Sequence, residues 1–236
     1  MRIAGLQKMT LLDYPGRVAC AVFLQGCNFR CPFCHNRDLL TADAPPQLPR
    51  EELLSFLKKR TGLLDGVCVT GGEPTLQKEL PEFLEAIKQL GYAVKLDTNG
   101  ARPEILKAVT KAGLVDYVAM DIKNSPEAYP ETAGIGKNLI PGVEESIRYL
   151  LSDAVDYEFR TTVVEEFHNA ERIEDMGNWI RALGCGKPAK RWYLQCYTDR
   201  DSVLLPGLHA PQVAQMHQYA EILVPFATLV SLRGVE

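Results

Sequence analysis

The chain has 236 residues, with 26 Lys and Arg against 30 Asp and Glu, so its formal net charge is −4 with neutral histidine. This balance excludes a strongly basic nucleic-acid-binding surface as the default interpretation. Hydrophobic residues make up 46% and charged residues 24% of the chain, which is typical of a globular domain. No run of about 18 apolar residues occurs and the start lacks a signal-peptide pattern, so we expect a cytoplasmic protein with neither membrane nor nucleic acid as a partner.

Short β-rich runs alternate with longer helical patterns along the chain. The strand-like runs begin at Ala19, Gly66, Tyr92, Asp116, Tyr157, Trp192 and Ala227. The helical patterns between them begin near Pro49, Leu80, Pro103, Pro141, Glu171 and Ala210. Such alternation is typical of parallel strands joined by right-handed crossovers, and the units are fewer than a complete eight-unit barrel contains. The sequence therefore predicts an α/β fold, an incomplete and laterally open (β/α)6 barrel.

We expect one domain over residues 1–236, because no linker is long enough to separate two cores. Within it, residues 1–16 are predicted to form a small β extension packed against a partial barrel over residues 17–236. Pro45 and Pro46 predict a loop rather than a domain boundary.

Three of the seven cysteines, Cys27, Cys31 and Cys34, lie within eight residues, directly after the first of these runs. Their spacing, C-x3-C-x2-C, allows a short loop to turn three thiolates toward one metal centre. An odd cysteine count without an export signal argues against disulfides. The other four are predicted to be small buried side chains. These are Cys20, Cys68, Cys185 and Cys196.

Zinc, haem and an iron–sulfur cluster compete for this motif. Zinc would want His35 as a further ligand, but adjacent side chains do not readily converge on one ion. C-x-x-C-H also matches covalent haem attachment, which normally takes place outside the cytosol. A cubane cluster normally takes four cysteines, so three would leave one iron open. If S-adenosylmethionine binds there through its amino acid end, an electron from the cluster can cleave a carbon–sulfur bond and release a carbon radical.

Polar side chains follow the next strands, at the edge where a (β/α) barrel builds its active site. After the second strand, Gly71 and Gly72 allow backbone to approach a ligand closely, and Glu73 can orient an ammonium group. The third strand ends in a polar cluster suited to hydroxyl groups or a hard cation, formed by Asp97, Thr98 and Asn99. For each motif alone, an ordinary turn is an open alternative.

The fourth and fifth strands add charged groups. Asp121 and Lys123 share one face by the two-residue period of a strand, although a solvated rim ion pair is the alternative. Arg160 should face the barrel interior or mouth, where an anionic ligand would offset the cost of burying its charge. The remaining histidines are predicted to be surface or hydrogen-bonded structural residues. These are His168, His209 and His217.

With the three cysteines and G-G-E-P in place, the sequence resembles the radical S-adenosylmethionine (SAM) superfamily. The order GCNFRCPFCHN, GGEP, DTNG and DIK resembles the glycyl radical enzyme activating proteins. The opening GLQKMTLLDYPG and the ending SLRG look most like the long form of the activating protein for anaerobic ribonucleoside-triphosphate reductase.

This resemblance implies a [4Fe-4S] cluster on Cys27, Cys31 and Cys34 and S-adenosylmethionine on its open iron. It implies that Phe33 and His35 lie beside the cofactor. Its methionine amino group would meet Gly72 and Glu73, and its ribose or carboxylate would meet the charged trio Asp121, Lys123 and Arg160. A monovalent cation would lie near that carboxylate, held by Asp97, Thr98 and Asp121.

The implied reaction is reductive cleavage to methionine and a 5′-deoxyadenosyl radical, which takes a hydrogen atom from a glycine of a partner enzyme. The implied electron donor is of the flavodoxin or ferredoxin type. Alternatives are another glycyl radical enzyme as partner, a small-molecule or peptide substrate, or a metal-binding module without turnover.

Two departures from the family bear on these expectations. Activators of pyruvate formate-lyase carry a histidine near the end of the sixth strand, where this chain reads Leu194-Gln195-Cys196-Tyr197. No cysteine-rich insert lies between Leu40 and Gly66, so a single cluster is expected.

Overall fold

The computed structural model describes residues 1–41, 47–200 and 202–235. The loop predicted at Pro45 and Pro46 lies outside these residues. Among the helices described, none combines the length and apolarity that crossing a membrane requires.

Eight strands form one sheet in the order in which they occur in the chain. They are β1 (Ile3–Thr10), β2 (Ala19–Leu24), β3 (Gly66–Gly71), β4 (Ala93–Thr98), β5 (Tyr117–Asp121), β6 (Asp156–Val163), β7 (Ala189–Cys196) and β8 (Ala227–Arg233). The pairs β2–β3, β3–β4, β6–β7 and β7–β8 are parallel. The order ends at β1 and β8, and in the described ranges no pairing joins these two strands. The predicted open α/β sheet is confirmed.

Seven helices connect the strands in the described residues. They are α1 (Arg50–Arg60), α2 (Leu80–Gln89), α3 (Pro103–Lys111), α4 (Tyr129–Ala133), α5 (Ile140–Leu151), α6 (Ala170–Leu183) and α7 (Val213–Leu223). Six of them coincide with predicted helical patterns. The seventh, α4, escaped prediction because it is a single turn, although Pro130 in its first turn and Gly134 at φ 60° after its end are ordinary helix boundaries.

The N-terminal strand differs from the expectation of an extension packed against the barrel. β1 is instead an edge strand of the sheet itself, antiparallel to β2. Its register shifts between Ile3 and Gly5 and again between Gln7 and Thr10. The apolar alternation of this segment is interrupted at Gly5 and Lys8, which lie at or between the residues where the register shifts. The irregular pairing explains why the segment shows only a weak strand pattern.

The chain forms two compact units. Unit 1 comprises Met1–Asn28, Asp38–Thr98 and Glu104–Ala119, and unit 2 comprises Phe29–Arg37, Asn99–Pro103 and Met120–Glu236. In unit 1, residues 66–69 of β3 and residues 94–96 of β4 are buried, including the whole side chain of Lys95. In unit 2, Phe159 packs between Tyr157 and Trp192, with ring centroids 5.1 and 6.0 Å away. The single domain over residues 1–236 stays a prediction.

Candidate functional site

In unit 1, the glycines after β3 lie against the segment that leads to Cys27. The Gly72 N–H donates to the Leu24 carbonyl at 2.8 Å, and the Glu73 N–H donates to the Gly26 carbonyl at 2.7 Å. A Cβ on Gly72 would lie 2.2 Å from the Gly26 oxygen, and Gly71 has a φ of +119°. Both positions therefore require glycine, because any side chain would separate β3 from the segment before the cysteine motif.

Glu73 is completely buried and its orientation is fixed. Its Oε1 accepts hydrogen bonds from the Thr75 backbone N–H at 3.1 Å, the Thr75 hydroxyl at 2.6 Å and the Thr98 hydroxyl at 2.8 Å. The first of these bonds caps the short 3-10 turn Pro74–Leu76. These three donors are neutral, and they stabilise the ionised form of the carboxylate.

Lys95 is a charged residue that the sequence reasoning missed. It lies on β4 two positions before Asp97, and its Nζ is 3.0 Å from the Asp97 Oδ1. The same ammonium group donates to the Asp13 carbonyl oxygen. A lysine within the apolar run AVKLD was the available signal, because a buried lysine almost always has a charged partner.

In unit 2, Asp121, Lys123 and Arg160 form one cluster of charged side chains. Lys123 Nζ is 3.0 Å from Asp121 Oδ2, and Arg160 Nε donates to Asp121 Oδ1 at 3.0 Å. Burial opposes the charge on Lys123, but the negative charges of Asp121 and of Cys31 in its thiolate form outweigh it and raise the pKa of Lys123 above its usual range. The three groups sum to one positive charge, which suits an anionic ligand.

The cysteine motif is divided between the units, with Cys27 in unit 1 and Cys31 and Cys34 in unit 2. Helix α4 contacts the part of the motif that lies in unit 2. The Arg30 N–H donates to the Ala133 carbonyl at 3.0 Å, and the Cys31 Sγ lies 3.6 Å from the same oxygen. A Cβ on Gly134 would lie 2.2 Å from the Arg30 carbonyl oxygen. The unpredicted helix α4 is therefore part of the support for the motif.

The aromatic residue of the motif, Phe33, also belongs to unit 2 and is buried. Its ring centroid is 6.0 Å from that of Phe167, and Lys123 Nζ lies 5.9 Å from the Phe33 centroid. Phe33 thus joins the cysteine loop to the charged trio within one unit.

His35 stacks on Tyr197, which the sequence reasoning did not select. The two ring planes are 10° apart with centroids at 5.5 Å, and His35 Nε2 lies 2.7 Å from the Thr198 carbonyl oxygen. Since a carbonyl only accepts, Nε2 carries the proton. Tyr197 is 1% exposed and donates to Asp199 at 3.1 Å. It directly follows β7, at a strand end where binding residues are expected, and this position was the available signal.

Two further polar residues have structural partners. Asn99 Oδ1 accepts from the Ala101 N–H at 3.0 Å, which is the ordinary turn interpretation. His168 is buried, and its Nε2 donates to the Lys123 carbonyl at 2.9 Å. Burial lowers the pKa of His168 to about 4, so the ring is neutral at pH 7. It is a hydrogen-bonded structural histidine, one of the two roles predicted for it.

The chemistry of the cysteines fits an iron–sulfur cluster. All seven cysteines are thiols rather than halves of disulfides. The predicted burial of the four cysteines outside the motif is confirmed for Cys20 and Cys68 but is wrong for Cys185, which is exposed, and for Cys196, which is half-buried. In the part of the chain that the structure describes, no three histidine, cysteine or carboxylate side chains converge as they would around a bound ion. Three thiols from one short loop nevertheless match the ligand type that iron–sulfur clusters require.

Comparison with known families matches residues 21–180 to the radical SAM superfamily. The chain belongs to this superfamily. It is 32% identical over 185 residues to a protein of Methanocaldococcus jannaschii named as a glycyl-radical enzyme activating enzyme, covering 76% of this chain and 75% of that one. It is also 32% identical over 193 residues to the pyruvate formate-lyase-activating enzyme of Clostridium pasteurianum, covering 77% of each.

The fold recurs in a crystal structure of Streptococcus suis SuiB bound to S-adenosylmethionine, with a TM-score of 0.68. The identity is 13%, and the match covers 91% of this chain and 52% of SuiB. The sequence relatives place the radical SAM chain with the activating enzymes for glycyl radical enzymes, and it is an oxidoreductase-type enzyme. Its superfamily implies a [4Fe-4S] cluster and S-adenosylmethionine.

Proposed function

We propose that this chain cleaves S-adenosylmethionine reductively and takes a hydrogen atom from a glycine of an anaerobic ribonucleoside-triphosphate reductase. The observation that carries the reaction is the C-x3-C-x2-C motif of thiols in a member of the radical SAM superfamily. The choice of partner rests on the opening GLQKMTLLDYPG and the ending SLRG, which resemble the long-form activating proteins of that reductase.

The chain's own residues divide the binding task. Cys27, Cys31 and Cys34 would hold the cluster. Gly71 and Gly72 allow the β3 end to lie against the segment before Cys27. Glu73 would receive the methionine amino group through its fixed carboxylate. When bound, the cluster and S-adenosylmethionine supply the low-potential electron and the carbon radical.

Unit 2 supplies a cluster with a net positive charge, in contrast to the negatively charged Glu73 of unit 1. The trio Asp121, Lys123 and Arg160 would bind the carboxylate or ribose of the cofactor, because its net charge is positive. Phe33 and His35 would lie beside the cofactor, where the buried Phe33 ring excludes water. A flavodoxin- or ferredoxin-type protein would deliver the electron.

The test is a glycine-centred signal in electron paramagnetic resonance. We expect it when the reduced protein and S-adenosylmethionine are mixed anaerobically with the anaerobic reductase, and not when either is omitted. If the signal formed only with a different glycyl radical enzyme, that enzyme would be the partner instead of the anaerobic reductase. Modification of a small molecule or peptide, with no protein radical, would contradict the activating function.

Cys31→Ala tests the thiol assignment, and we expect it to lose both the cluster and cofactor cleavage, since it removes one of the three proposed thiolate ligands. Iron content and 5′-deoxyadenosine measure the two losses. Cys185→Ala is the matched control, because Cys185 is exposed and lies in the same unit outside the motif. Full activity of Cys31→Ala would refute the assignment.

A further inference from the structure

The groups that the family resemblance assigns to a monovalent cation already have partners inside their own units. In unit 1, Lys95 Nζ lies within ion-pair distance of Asp97 Oδ1, at 3.0 Å, although this oxygen accepts no hydrogen bond from the described residues. The Thr98 hydroxyl donates to Glu73 at 2.8 Å. In unit 2, Asp121 lies between Lys123 and Arg160, each at 3.0 Å. These residues therefore do not fit a site that would need an added cation to balance its charge.

We propose that the ammonium group of Lys95 is a built-in cation for Asp97, and that the enzyme needs no monovalent metal ion. The inference rests on the proposed function and deepens it, because Asp97 is one of the predicted cofactor-binding residues. Lys95 is thereby a positioning residue: it holds the Asp97 carboxylate and need not touch the cofactor.

Burial and geometry support this role. The Lys95 side chain is 2% exposed and that of Asp97 is 13% exposed, so water screens their interaction weakly. The ammonium group also donates to the Asp13 carbonyl, as a bound potassium or sodium ion would take a backbone oxygen ligand. The Asp97 carboxylate and the Asp13 carbonyl are the kinds of oxygen ligand that a small cation site contains. Here the Lys95 ammonium group takes the place of the cation.

The first experiment measures thermal unfolding of the full chain without cluster or S-adenosylmethionine. Chloride salts of potassium, sodium, ammonium and tetramethylammonium are compared at constant ionic strength. For the wild type we expect midpoints that agree within about 1 °C. A saturable rise of several degrees with potassium or sodium would overturn the proposal, because it would show an open cation site.

Lys95→Met is the decisive variant. It leaves Asp97 largely buried without the ammonium group, so in tetramethylammonium its midpoint should fall by about 5 °C or more. Potassium or ammonium should recover part of this loss in a saturable way, and the Lys95→Met/Asp97→Asn double variant should show no such recovery. A loss that no cation repairs would mean that Lys95 only anchors the Asp13 segment, which also overturns the proposal.

Two controls keep the result interpretable. Lys88→Met removes an ion pair of 2.8 Å with Asp116 in the same unit, but both side chains are more exposed, and we expect no cation response. If Lys95→Met does not fold, Lys95→Arg serves instead, since it keeps the charge and should remain insensitive to cations.

The cofactor assay gives a second readout. In the reconstituted wild type, 5′-deoxyadenosine formation should change by less than about two-fold when tetramethylammonium replaces potassium and sodium, since the fixed charge remains. A ten-fold or larger loss, about 1.4 kcal/mol, would contradict the built-in cation. Absence of any cleavage would instead contradict the proposed function, and the unfolding data would be unaffected.

Discussion

Glu73 and Asp121 are two predicted cofactor-binding carboxylates that the protein holds in opposite ways. In unit 1, Glu73 is completely buried and receives hydrogen bonds from neutral amide and hydroxyl groups. In unit 2, Asp121 lies between a lysine and an arginine, and 31% of its side chain is exposed. The first arrangement leaves a carboxylate suited to a cationic group, and the second forms a net positive cluster suited to an anionic group.

This difference teaches how the chain can recognise a zwitterion. The amino acid end of S-adenosylmethionine carries one ammonium and one carboxylate group; under the proposed function, Glu73 would receive the first and the trio around Asp121 would receive the carboxylate or the ribose. Neutral amide and hydroxyl donors fix the Glu73 carboxylate, whereas two positively charged side chains contact Asp121. Substitutions that change one arrangement should therefore leave the other intact.

Glu73→Gln should produce the largest effect on the comparison. The glutamine keeps the size but not the charge, so we expect cofactor cleavage to fall by about 100-fold, as when one partner of a buried charge pair is removed. Product formation and binding of S-adenosylmethionine measure the loss. Glu79→Gln is the control, because Glu79 is exposed and pairs only with the N-terminal amine among its described contacts. Equal losses in both variants would show that burial of Glu73 is irrelevant.

The second prediction concerns His168, which donates to the Lys123 carbonyl in unit 2 and should make the stability of the protein depend on pH. Its pKa in the folded state is about 4 because the ring is buried, whereas the pKa of an unfolded histidine is about 6.5. Its contribution to stability is therefore complete above pH 6.5 and is lost as the pH falls toward 4, because the unfolded chain binds the proton first. The difference corresponds to about 3 kcal/mol of unfolding free energy.

His168→Gln keeps a donor for the Lys123 carbonyl but cannot take up that proton. Chemical denaturation at pH 7 and pH 4 should show a smaller acid loss in this variant than in the wild type, by about that amount. Identical acid losses would contradict a neutral buried ring.

Arg160→Lys tests whether the charged cluster in unit 2 contributes to binding of S-adenosylmethionine. It keeps the charge but loses the guanidinium donor that meets Asp121, so binding of S-adenosylmethionine should weaken by about ten-fold. Stability should change by less than about 1 kcal/mol, because the ion pair is partly solvated. Equilibrium dialysis and denaturation separate the two effects. An unchanged affinity would remove Arg160 from the binding site.

Tyr197 should give the smallest effect. Tyr197→Phe keeps the ring under His35 and should bind S-adenosylmethionine like the wild type, whereas Tyr197→Leu removes the stacking, worth about 1 kcal/mol. We therefore expect a several-fold higher KM for S-adenosylmethionine in the leucine variant, with an unchanged iron content. The reverse order of the two variants would show that the hydroxyl group matters and the ring does not.

The strand order and six helices were predictable because apolar runs and helix boundaries are local signals. The cysteine motif is a local spacing, and the contact between Asp121 and Lys123 follows from the two-residue period of a strand, so both could be read from the sequence. Lys95 and Tyr197 escaped prediction because their roles depend on contacts with Asp97 and His35 that spacing alone does not reveal. The single-turn helix α4 is too short for a periodic pattern to show.

Product analysis of the reconstituted wild type tests the central claim most directly. Anaerobic protein that carries about four iron atoms per chain is reduced and mixed with S-adenosylmethionine, without any partner. Radical SAM chemistry on three cysteines predicts methionine and 5′-deoxyadenosine in equal amounts, and neither product from Cys31→Ala. An intact, reducible cluster in the wild type that yields no 5′-deoxyadenosine would contradict the account.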